Sequence, residues 1–554
     1  MNKKVCSFPI LFALLALLIG TCAVVFPASA QAAPTSTGSI TVSGTVASSY
    51  DAYQIFSANV VDGDNDAKIA TDLAWASDAA RDAVLPVLHS AGMPNSQTTA
   101  QEAAEWLNTD SHLTSALSAQ LARSLQSSDA VSVALNAGTA AELPCGYWLI
   151  VADDAAIAQG EAGTAPIMAL VGGSAVTVKP KAATPKVAKH VLEDGTATWQ
   201  KAADATVADD LYWRLSATVP SGLTAYDTYT VQLVDTMSAG LDPSKVAASM
   251  RVYVAAGADG GFDAVPAGRD GRAGTEPAKG WTDITAQCGV SVEGSSLTVR
   301  TGDLIAALGG ADAFAAGARV VAVYSAPLGA NCNRGASKGN PNEVYLRYPR
   351  SPFADQSGDA GFTRTPSDDA CAYTWDLALT KRGSDGDKPL AGAVLSFADD
   401  RGRTLAADGT WDAEGKATVT TGEDGRVTVS GVDSGKLEVR ELKAPKGYTA
   451  FEGTRSVTVK AEGLDVDQVA AAKPKLTITA ESPLRADSAD GLTGSLEASL
   501  INTPTGTPPS ITTGGFMPST GDMAMYAAAA AAVAGAALIV VALLVKRGGG
   551  SHKE

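Results

Sequence analysis

The sequence predicts a mainly β protein made of tandem β-sandwiches, with a helical insertion in the first sandwich and a transmembrane helix near the C-terminus. Short alternating runs bounded by turn residues, such as Gly38-Ser-Ile-Thr-Val-Ser-Gly44 and Gly425-Arg-Val-Thr-Val-Ser-Gly431, are typical of sandwich strands. Between Asp72 and Leu125, Ala, Leu and Trp recur three and four residues apart, which is the period of a helix. The apolar stretch Met523 to Val545 is long enough to cross a bilayer, which takes about 20 residues.

The N-terminus has the pattern of a secretory signal peptide. Lys3 and Lys4 form a basic start, the residues from Pro9 to Phe26 are almost all apolar, and small residues follow up to Ala30. This order predicts export and cleavage after Ala30, so that residues 1–30 are removed from the mature chain.

Two changes in composition divide the exported chain into three domains. Residues 179–186 form a connector that contains Pro and Lys, and residues 351–374 form a polar segment rich in Asp, Ser and Gly. We therefore predict domains over residues 34–178, 184–350 and 373–503, with residues 351–374 as a link.

The charge balance limits what the exported part can bind. The chain has 42 basic and 59 acidic residues, and its formal net charge is −17. Because an acidic surface repels phosphate groups, nucleic acid and anionic lipid are not expected partners. Such a composition suits a soluble, exposed surface.

The cysteines remaining after signal removal could form disulfides. None is in a CxxC spacing, and the oxidising compartment allows one or two bonds. The four are Cys145, Cys288, Cys332 and Cys371. Their pairing stays open at this point, and Cys288 with Cys332 is the candidate pair that lies within one predicted domain.

The sequence contains no recognisable catalytic or cofactor motif. P-loop and HExxH patterns are absent from it. The histidines have no neighbouring Cys or Ser motif, and they are His89, His112, His190 and His552. We therefore expect a protein without enzymatic activity, cofactor or bound metal.

The third domain carries the most specific internal pattern. It opens with Leu377-Ala-Leu-Thr-Lys381, contains Leu437-Glu-Val-Arg-Glu441-Leu-Lys-Ala-Pro-Lys-Gly-Tyr448, and closes with Ser499-Leu-Ile-Asn502. These segments resemble the collagen-adhesin B-type (CnaB) domain of Gram-positive surface proteins, which is an immunoglobulin-like sandwich. The resemblance implies that Lys381 and Asn502 join in a spontaneous isopeptide bond, and that Glu441 promotes the reaction.

The chemistry of such a bond requires these residue types in a dry core. A lysine attacks a carboxamide only as a neutral amine, and burial lowers the pKa of a lysine. The same burial raises the pKa of a carboxyl group, so a protonated Glu441 could polarise the Asn502 carbonyl and shuttle protons while ammonia leaves. By analogy with disulfides, closing the loop from Lys381 to Asn502 would contribute about 4 to 5 kcal/mol of stability.

The second domain has a looser version of the same pattern. It begins with Val187-Ala-Lys189-His-Val191, contains Thr230-Val-Gln-Leu-Val-Asp235, and ends with Gly339-Asn-Pro-Asn342-Glu-Val-Tyr-Leu-Arg-Tyr348. These segments resemble the middle domain of sortase-assembled backbone pilins, in which a Lys, an Asp and an Asn form the cross-link. The resemblance assigns these roles to Lys189, Asp235 and Asn342. Asn340 stays open as an alternative to Asn342, and Lys186 as an alternative to Lys189.

The first domain resembles the N-terminal domain of the same pilins. The likeness lies in Ser49-Tyr-Asp-Ala-Tyr-Gln-Ile-Phe56 and Cys145-Gly-Tyr-Trp-Leu-Ile-Val151, and the domain ends in Val176-Thr-Val-Lys-Pro-Lys181. This last string resembles the pilin motif, with Lys in place of the usual Tyr before the Pro. The resemblance implies that Lys181 accepts the acyl group of the next subunit, with Lys179 and Lys186 as alternatives.

The C-terminus resembles a sortase sorting signal. A spacer over residues 504–516 is rich in Thr, Pro and Gly, and the apolar stretch 523–545 is followed by a basic tail over residues 546–554, whose charge holds it in the cytoplasm. Between spacer and apolar stretch lie Met517, Pro518, Ser519, Thr520 and Gly521. This string resembles the LPxTG signal, with Met in place of Leu, and implies cleavage between its Thr and its Gly.

These resemblances cover essentially the whole chain and imply a major, shaft-forming pilin of a Gram-positive bacterium. A sortase would join Thr520 of one subunit to Lys181 of another, giving an open head-to-tail polymer that is finally attached to the cell wall and supports adhesion. The implied partners are pilus-type and housekeeping sortases, identical subunits, minor pilins and peptidoglycan, and adhesion would add a host receptor as a further candidate partner. The alternative is a singly anchored adhesin, or a tip or basal pilin, without a working Lys181.

Overall fold

A computed structural model describes residues 36–506, apart from 110, 164, 181–183, 222, 258–279 and 400. Three groups of strands follow one another along the chain, so the fold is mainly β with tandem sandwiches, as predicted. The signal peptide with Ala30, the linker residue Lys181, the sorting pentapeptide and the apolar stretch lie outside the described residues. In the part that is described, no helix is long and apolar enough to cross a membrane.

The first domain packs two sheets together with three helices. Its strands are β1 Thr37–Val42, β2 Ser49–Asp62, β3 Lys68–Trp75, β4 Ser132–Asn136, β5 Ala140–Pro144, β6 Gly146–Ala152, β7 Ile167–Val171 and β8 Val176–Val178. One sheet has the order β3-β2-β6-β7 with β4 beside β2, and the other has the order β5-β1-β8. The side chains between the two sheets form one of the buried cores of this domain.

The helical insertion lies between β3 and β4. Its helices are α1 Asp78–Ser90, α2 Ala100–Asn108 and α3 Ser115–Gln126. Each begins after a Ser or Thr whose side chain accepts a hydrogen bond from the first turn, which satisfies a free backbone N–H. The insertion was predicted to begin at Asp72, but residues 68–75 pair with β2 instead. Their sequence, Lys-Ile-Ala-Thr-Asp-Leu-Ala-Trp, is compatible with the period of a helix and with that of a strand.

The second domain is the largest sandwich. Its elements are β9 Val187–Glu193, β10 Thr198–Gln200, β11 Ala202–Asp204, β12 Tyr212–Thr218, β13 Gln232–Met237, α4 Val246–Ser249, β14 Arg251–Ala255, β15 Trp281–Asp283, β16 Gly289–Glu293, β17 Ser296–Arg300, α5 Leu304–Ala307, β18 Arg319–Ser325, β19 Asn340–Pro349, β20 Phe362–Arg364 and β21 Asp368–Tyr373. One sheet has the order β10-β9-β12-β18-β14-β15, and the facing sheet has the order β11-β21-β19-β13-β17-β16 with β20 beside β19. Their facing side chains make one continuous core.

The polar segment 351–374, which we predicted to be a link, belongs largely to the second domain. β20 pairs with the end of β19, and β21 lies between β19 and β11. The second domain therefore extends to about residue 373 rather than to 350. The Asp, Ser and Gly residues before β21 favoured a link, so this strand was not predicted. Its last four residues, Ala370 to Tyr373, are all buried.

The third domain is a sandwich closed by its first and last strands. Its strands are β22 Trp375–Gly383, β23 Val394–Ala398, β24 Thr404–Leu405, β25 Trp411–Asp412, β26 Val419–Thr420, β27 Arg426–Val432, β28 Gly435–Lys443, β29 Tyr448–Thr449, β30 Thr454–Glu462, β31 Lys475–Ala480, β32 Leu484–Asp490 and β33 Ser495–Pro504. One sheet has the order β27-β22-β33-β29 with β32 beside β33; the other has the order β25-β24-β23-β28-β30-β31 with β26 beside β23. β22 and β33 run parallel, so the two ends of the domain lie at opposite ends of one strand pair.

The predicted disulfide candidate, Cys288 with Cys332, is wrong, because all four described cysteines are free. Cys288 precedes Gly289, which is aligned through β17 with the start of β13. Cys332 lies against Gly240, beyond the other end of β13. The six residues of β13 separate the two cysteines at about 3.3 Å per residue, whereas a disulfide needs Cα atoms within about 7 Å.

Candidate cross-linking sites

In the third domain the first strand, the last strand and the facing sheet bring the predicted residues together. β22 carries Lys381 and β33 carries Asn502, two residues beyond Leu500, the register partner of Lys381. Glu441 comes from β28 in the opposite sheet. Lys381 is 0%, Asn502 2% and Glu441 6% exposed. The three polar side chains therefore meet inside the sandwich, cut off from water.

One carboxyl group in this site contacts both nitrogens that an isopeptide reaction involves. Lys381 Nζ donates a hydrogen bond to Asn502 Oδ1 and lies 3.4 Å from Glu441 Oε1. Asn502 Nδ2 donates to Glu441 Oε1 at 2.8 Å and to Oε2 at 3.1 Å. The Phe451 N–H donates to Glu441 Oε2 at 3.1 Å and so helps to fix the carboxyl group. The amine that would attack and the nitrogen that would leave thus share one acid.

Burial favours the reactive form of this lysine. Desolvation lowers the pKa of Lys381 to about 8, although the nearby charge of Glu441 opposes the shift. A lysine at its usual pKa is almost entirely protonated at neutral pH. Lys381 can therefore present a neutral amine to Asn502 far more often than a surface lysine could.

The second domain brings together Lys189, Asp235 and Asn342 in the same way. Lys189 lies on β9, whereas Asp235 and Asn342 lie on the adjacent strands β13 and β19 of the facing sheet. All three side chains are fully buried. The rings of Trp213 and Tyr324 lie 5.4 and 5.5 Å from Lys189 Nζ. The amine is therefore enclosed by aromatic and apolar groups.

A tyrosine hydroxyl completes the second site. Lys189 Nζ donates to Asp235 Oδ2 and, at 3.1 Å, to the Tyr324 hydroxyl. The hydroxyl donates to Asp235 Oδ2 at 2.9 Å and accepts from Asn342 Nδ2 at 2.8 Å. Tyr324 thus contacts every member of the trio, whereas the amide nitrogen of Asn342 contacts the hydroxyl and not the carboxyl group.

Burial shifts the second site towards uncharged groups. Desolvation lowers the pKa of Lys189 and raises the pKa of Asp235, which favours a neutral amine beside a protonated acid. Asp235 Oδ1 and Asn342 Oδ1 are buried and without a hydrogen-bond partner among the described residues. A proton on Asp235 would supply a donor that the acceptor-only carboxylate lacks.

The alternatives left open by the sequence are separated by position. Asn340 is also buried, but its Oδ1 accepts from Asn333 N at 2.9 Å and its Nδ2 donates to backbone carbonyls of Asn333 and Ala372. Its amide therefore holds the backbone and does not face Lys189. Lys186 is exposed, so it lacks the desolvation that an attacking amine requires.

Tyr324 was not identified from the sequence. It lies on β18, whose residues Val320, Ala322 and Tyr324 all point into one core. The sequence signal that could have found it is the alternation of core-facing residues along this strand, which places Tyr324 on the buried face. A buried tyrosine needs a hydrogen-bond partner for its hydroxyl. That signal does not say which strand of the facing sheet supplies the partner.

The linker between the first and second domains is described only in part. Lys179 directly follows β8 and is exposed, while Lys181 lies outside the described residues. Among the residues that are described, no group of three or more His, Cys, Asp or Glu side chains is arranged to hold a metal ion.

Comparison with known proteins identifies relatives of one domain and of the chain. Residues 376–473 match the family model of the SpaA domain with a prealbumin-like fold. The trypsin-resistant surface T6 protein of Streptococcus pyogenes serotype M6 is 30% identical over 129 residues, which is 22% of this chain and 22% of that protein. The matched region thus spans about a fifth of this curated relative.

Several solved structures are similar over most of the chain. The T6 backbone pilin of S. pyogenes is 16% identical with a TM-score of 0.46, over 85% of this chain and 98% of that chain. The full-length major pilin SpaD of Corynebacterium diphtheriae is 15% identical with a TM-score of 0.41, over 85% and 98%. The family match is thus confined to the third domain, and the solved structures similar to most of the chain are a backbone pilin and a major pilin.

Proposed function

We propose that the chain is the repeating shaft subunit of a covalently polymerised surface pilus. The observation that carries this proposal is that two successive sandwiches each bury a Lys, an acid and an Asn at one site. In the third domain the three are in direct contact, and in the second domain the Tyr324 hydroxyl joins Asn342 to the other two. Burying charged and polar groups in a protein core costs folding free energy. A covalent bond formed between the buried groups would offset this cost and would strengthen a fibre under load.

Each trio would form one isopeptide bond. In the third domain the neutral Nζ of Lys381 attacks Cγ of Asn502, the new C–N bond forms, and the bond from Cγ to Nδ2 breaks. One proton moves from Nζ to Nδ2, and Glu441, which touches both nitrogens, carries it. The products are a secondary amide and ammonia, so no cofactor is required.

The position of the bond in the third domain suits a fibre under tension. Force that enters at the start of β22 would pass along this strand to Lys381, cross to Asn502, and leave through the end of β33. Because β22 and β33 are parallel neighbours, residues 382–501 would lie outside this path. The sandwich could then stay folded under a load that would otherwise pull it apart.

Polymerisation and anchoring complete the proposal. A sortase would break the bond between Thr520 and Gly521, hold the Thr520 carbonyl as a thioester, and transfer it to Lys181 of an identical subunit. The last subunit would be transferred to peptidoglycan, and minor pilins would join the same fibre. A location on the cell surface agrees with the name of the curated relative, which is a surface protein.

The test is a set of lysine variants expressed in the native host. Lys181→Ala is compared with Lys179→Ala and Lys186→Ala, which change neighbouring linker lysines, and wall extracts are immunoblotted. We expect the wild-type chain and the two controls to give a ladder of high-mass species, and Lys181→Ala to give only the wall-linked monomer. An unchanged ladder from Lys181→Ala would refute polymerisation through this residue.

A further inference from the structure

We propose that Tyr324 is a catalytic residue of the second domain, whose hydroxyl relays the proton from the attacking Lys189 to the leaving nitrogen of Asn342. This inference rests on the proposed isopeptide bond between these two residues. It assigns to the tyrosine a step that the acid carries out alone in the third domain.

The first argument is the position of the hydroxyl between the two nitrogens. The Tyr324 oxygen lies 3.1 Å from Lys189 Nζ and 2.8 Å from Asn342 Nδ2. It also donates to Asp235 Oδ2 at 2.9 Å. A hydroxyl can donate one hydrogen bond and accept two, so these three contacts use its full capacity. A proton can therefore pass from one nitrogen to the other through a single oxygen atom.

The second argument is the comparison with the third domain. There Glu441 lies 3.4 Å from the lysine nitrogen and 2.8 Å from the asparagine nitrogen, so one carboxyl group serves both. Asp235 has a side chain that is one methylene shorter, and it contacts the Lys189 nitrogen while Asn342 Nδ2 donates to Tyr324. The hydroxyl thus occupies the place that the longer acid fills in the third domain.

The hydroxyl is also in the right protonation state for this role. Tyr324 is completely enclosed, and desolvation raises its pKa well above the usual value for tyrosine. A protonated hydroxyl has a proton to give. Desolvation also lowers the pKa of Lys189, although the charges of Asp235 and Asp368 act in the opposite direction.

The step balances without an added reactant. The neutral Lys189 Nζ attacks Asn342 Cγ while a protonated Asp235 stabilises the charge on the carbonyl oxygen. Tyr324 then gives its proton to Nδ2 and takes one from Nζ, the bond from Cγ to Nδ2 breaks, and ammonia leaves. The tyrosine and the aspartic acid end in the protonation states in which they began.

The experiment follows bond formation in the full mature chain, recovered unreacted in denaturant and refolded by dilution. Samples are quenched over time, digested, and analysed by mass spectrometry for the Lys189–Asn342 linked peptide. The Lys381–Asn502 linked peptide from the same molecules is the internal standard. Tyr324→Phe is compared with Tyr348→Phe, because Tyr348 is another fully buried tyrosine, lies on the strand of Asn342, and has a hydroxyl without a partner among the described residues.

We expect Tyr324→Phe to slow formation of the second-domain bond on the order of a hundredfold, the usual size of general acid–base effects, with the third-domain bond unchanged. Tyr348→Phe should behave as wild type. Only chains whose second domain resists trypsin are counted, which excludes unfolded molecules. A chain with 3,5-difluorotyrosine at position 324 keeps the shape of the side chain but has a more acidic hydroxyl, so the rate of bond formation and its pH profile should change.

Two results would overturn this inference, and a third would overturn its basis. If trypsin-resistant Tyr324→Phe forms the bond at the wild-type rate, the hydroxyl has no catalytic role. If Tyr324→Phe does not fold and the fluorinated chain reacts with the wild-type rate and pH profile, the role of Tyr324 is structural. If wild-type chain never gives the Lys189–Asn342 peptide, the proposed bond itself is wrong.

Discussion

Single residues in the two sites show how one chemistry can be arranged in two ways. Both lysines are fully buried and both asparagines have their amide nitrogen held by a hydrogen bond. In one site a glutamate reaches both reacting nitrogens, and in the other a tyrosine supplements an aspartate. The strings around Lys381, Glu441 and Asn502 were specific enough to predict their meeting from the sequence.

The choice between Asn342 and Asn340 could not be made from the sequence, for a physical reason. The two residues are separated by one position on β19, so they share a face of the strand, and both are fully buried. Two structural facts distinguish them. The pairing of β19 with β13 places Asn342 beside Met237, whereas the side chain of Asn340 is hydrogen-bonded to the backbone. Tyr324 was missed for a similar reason, since its partners come from the facing sheet.

Removing the acceptor of the third-domain bond should cost stability without leaving an unpaired charge. In Asn502→Ala, Lys381 and Glu441 remain a pair at 3.4 Å, so the main loss is the cross-link that closes 121 residues. We expect the free energy of unfolding of this domain to fall by about 5 kcal/mol, measured by denaturant titration. Ser499→Ala, a buried change on the same strand, should cost only about 1 kcal/mol; equal losses would argue against the bond.

Glu193 predicts a pH dependence at the junction of the second and third domains. Burial, with the charges of Asp204 and Asp194, raises its pKa to about 8, whereas the carboxyl group of an unfolded chain titrates near pH 4.3. Protonated Glu193 therefore contributes fully to the free energy of unfolding below about pH 4, and this contribution is lost as the pH rises to about 8. We expect the melting temperature to fall as the pH is raised from 5 to 8.5, and to fall less steeply in Glu193→Gln. An equally steep fall in Glu193→Gln would contradict the raised pKa of Glu193.

At the level of strands, the register of β22 with β33 decides where a bond can form. The resemblance of the terminal strings to one domain family implied only a bond between Lys381 and Asn502. The parallel pairing of the two strands and the register of Lys381 with Leu500 come from the structure. The role of β21 was not predicted, because its first residues are acidic and the segment before it is polar. Tertiary pairing on both of its edges overrides that local composition.

A turn beside β22 also positions the lysine. Gly425 has a φ of +71°, its carbonyl accepts from Lys381 N at 2.7 Å, and a Cβ there would lie 2.7 Å from Lys381 O. We expect Gly425→Ala to cost about 1 to 3 kcal/mol and to reduce the cross-linked fraction measured by intact mass. Gly447→Ala has a similar φ of +85° but meets no atom within 4 Å, so it should leave the cross-linked fraction unchanged. Equal effects of the two substitutions would show that the close approach of residue 425 to the Lys381 backbone does not affect bond formation.

Across the full chain, the two proposed bonds would divide the path of force unequally. In the third domain the bond joins the first strand to the last, but in the second domain β20 and β21 follow the strand that carries Asn342. Residues 343–380 would therefore lie between the two covalent loops and carry tension through non-covalent pairing alone. Composition did not predict this, because it assigned residues 351–374 to a link.

Single-molecule pulling between residues 189 and 502 should detect this division. Wild-type chain should lengthen by at most about 130 Å, from residues 343–380 at roughly 3.5 Å each. Asn502→Ala should add an event of about 400 Å as residues 382–501 extend, and Asn342→Ala should release residues 190–341. A wild-type molecule that shows these long events would not contain the bonds.

The most direct measurement is the identity of the junction between subunits. High-mass material from the wall of the native host is digested and sequenced by mass spectrometry. We expect a branched peptide in which the carbonyl of Thr520 is bonded to Nζ of Lys181. Recovery of Thr520 only on peptidoglycan, with Lys181 always free, would contradict a shaft subunit and leave a singly anchored surface protein.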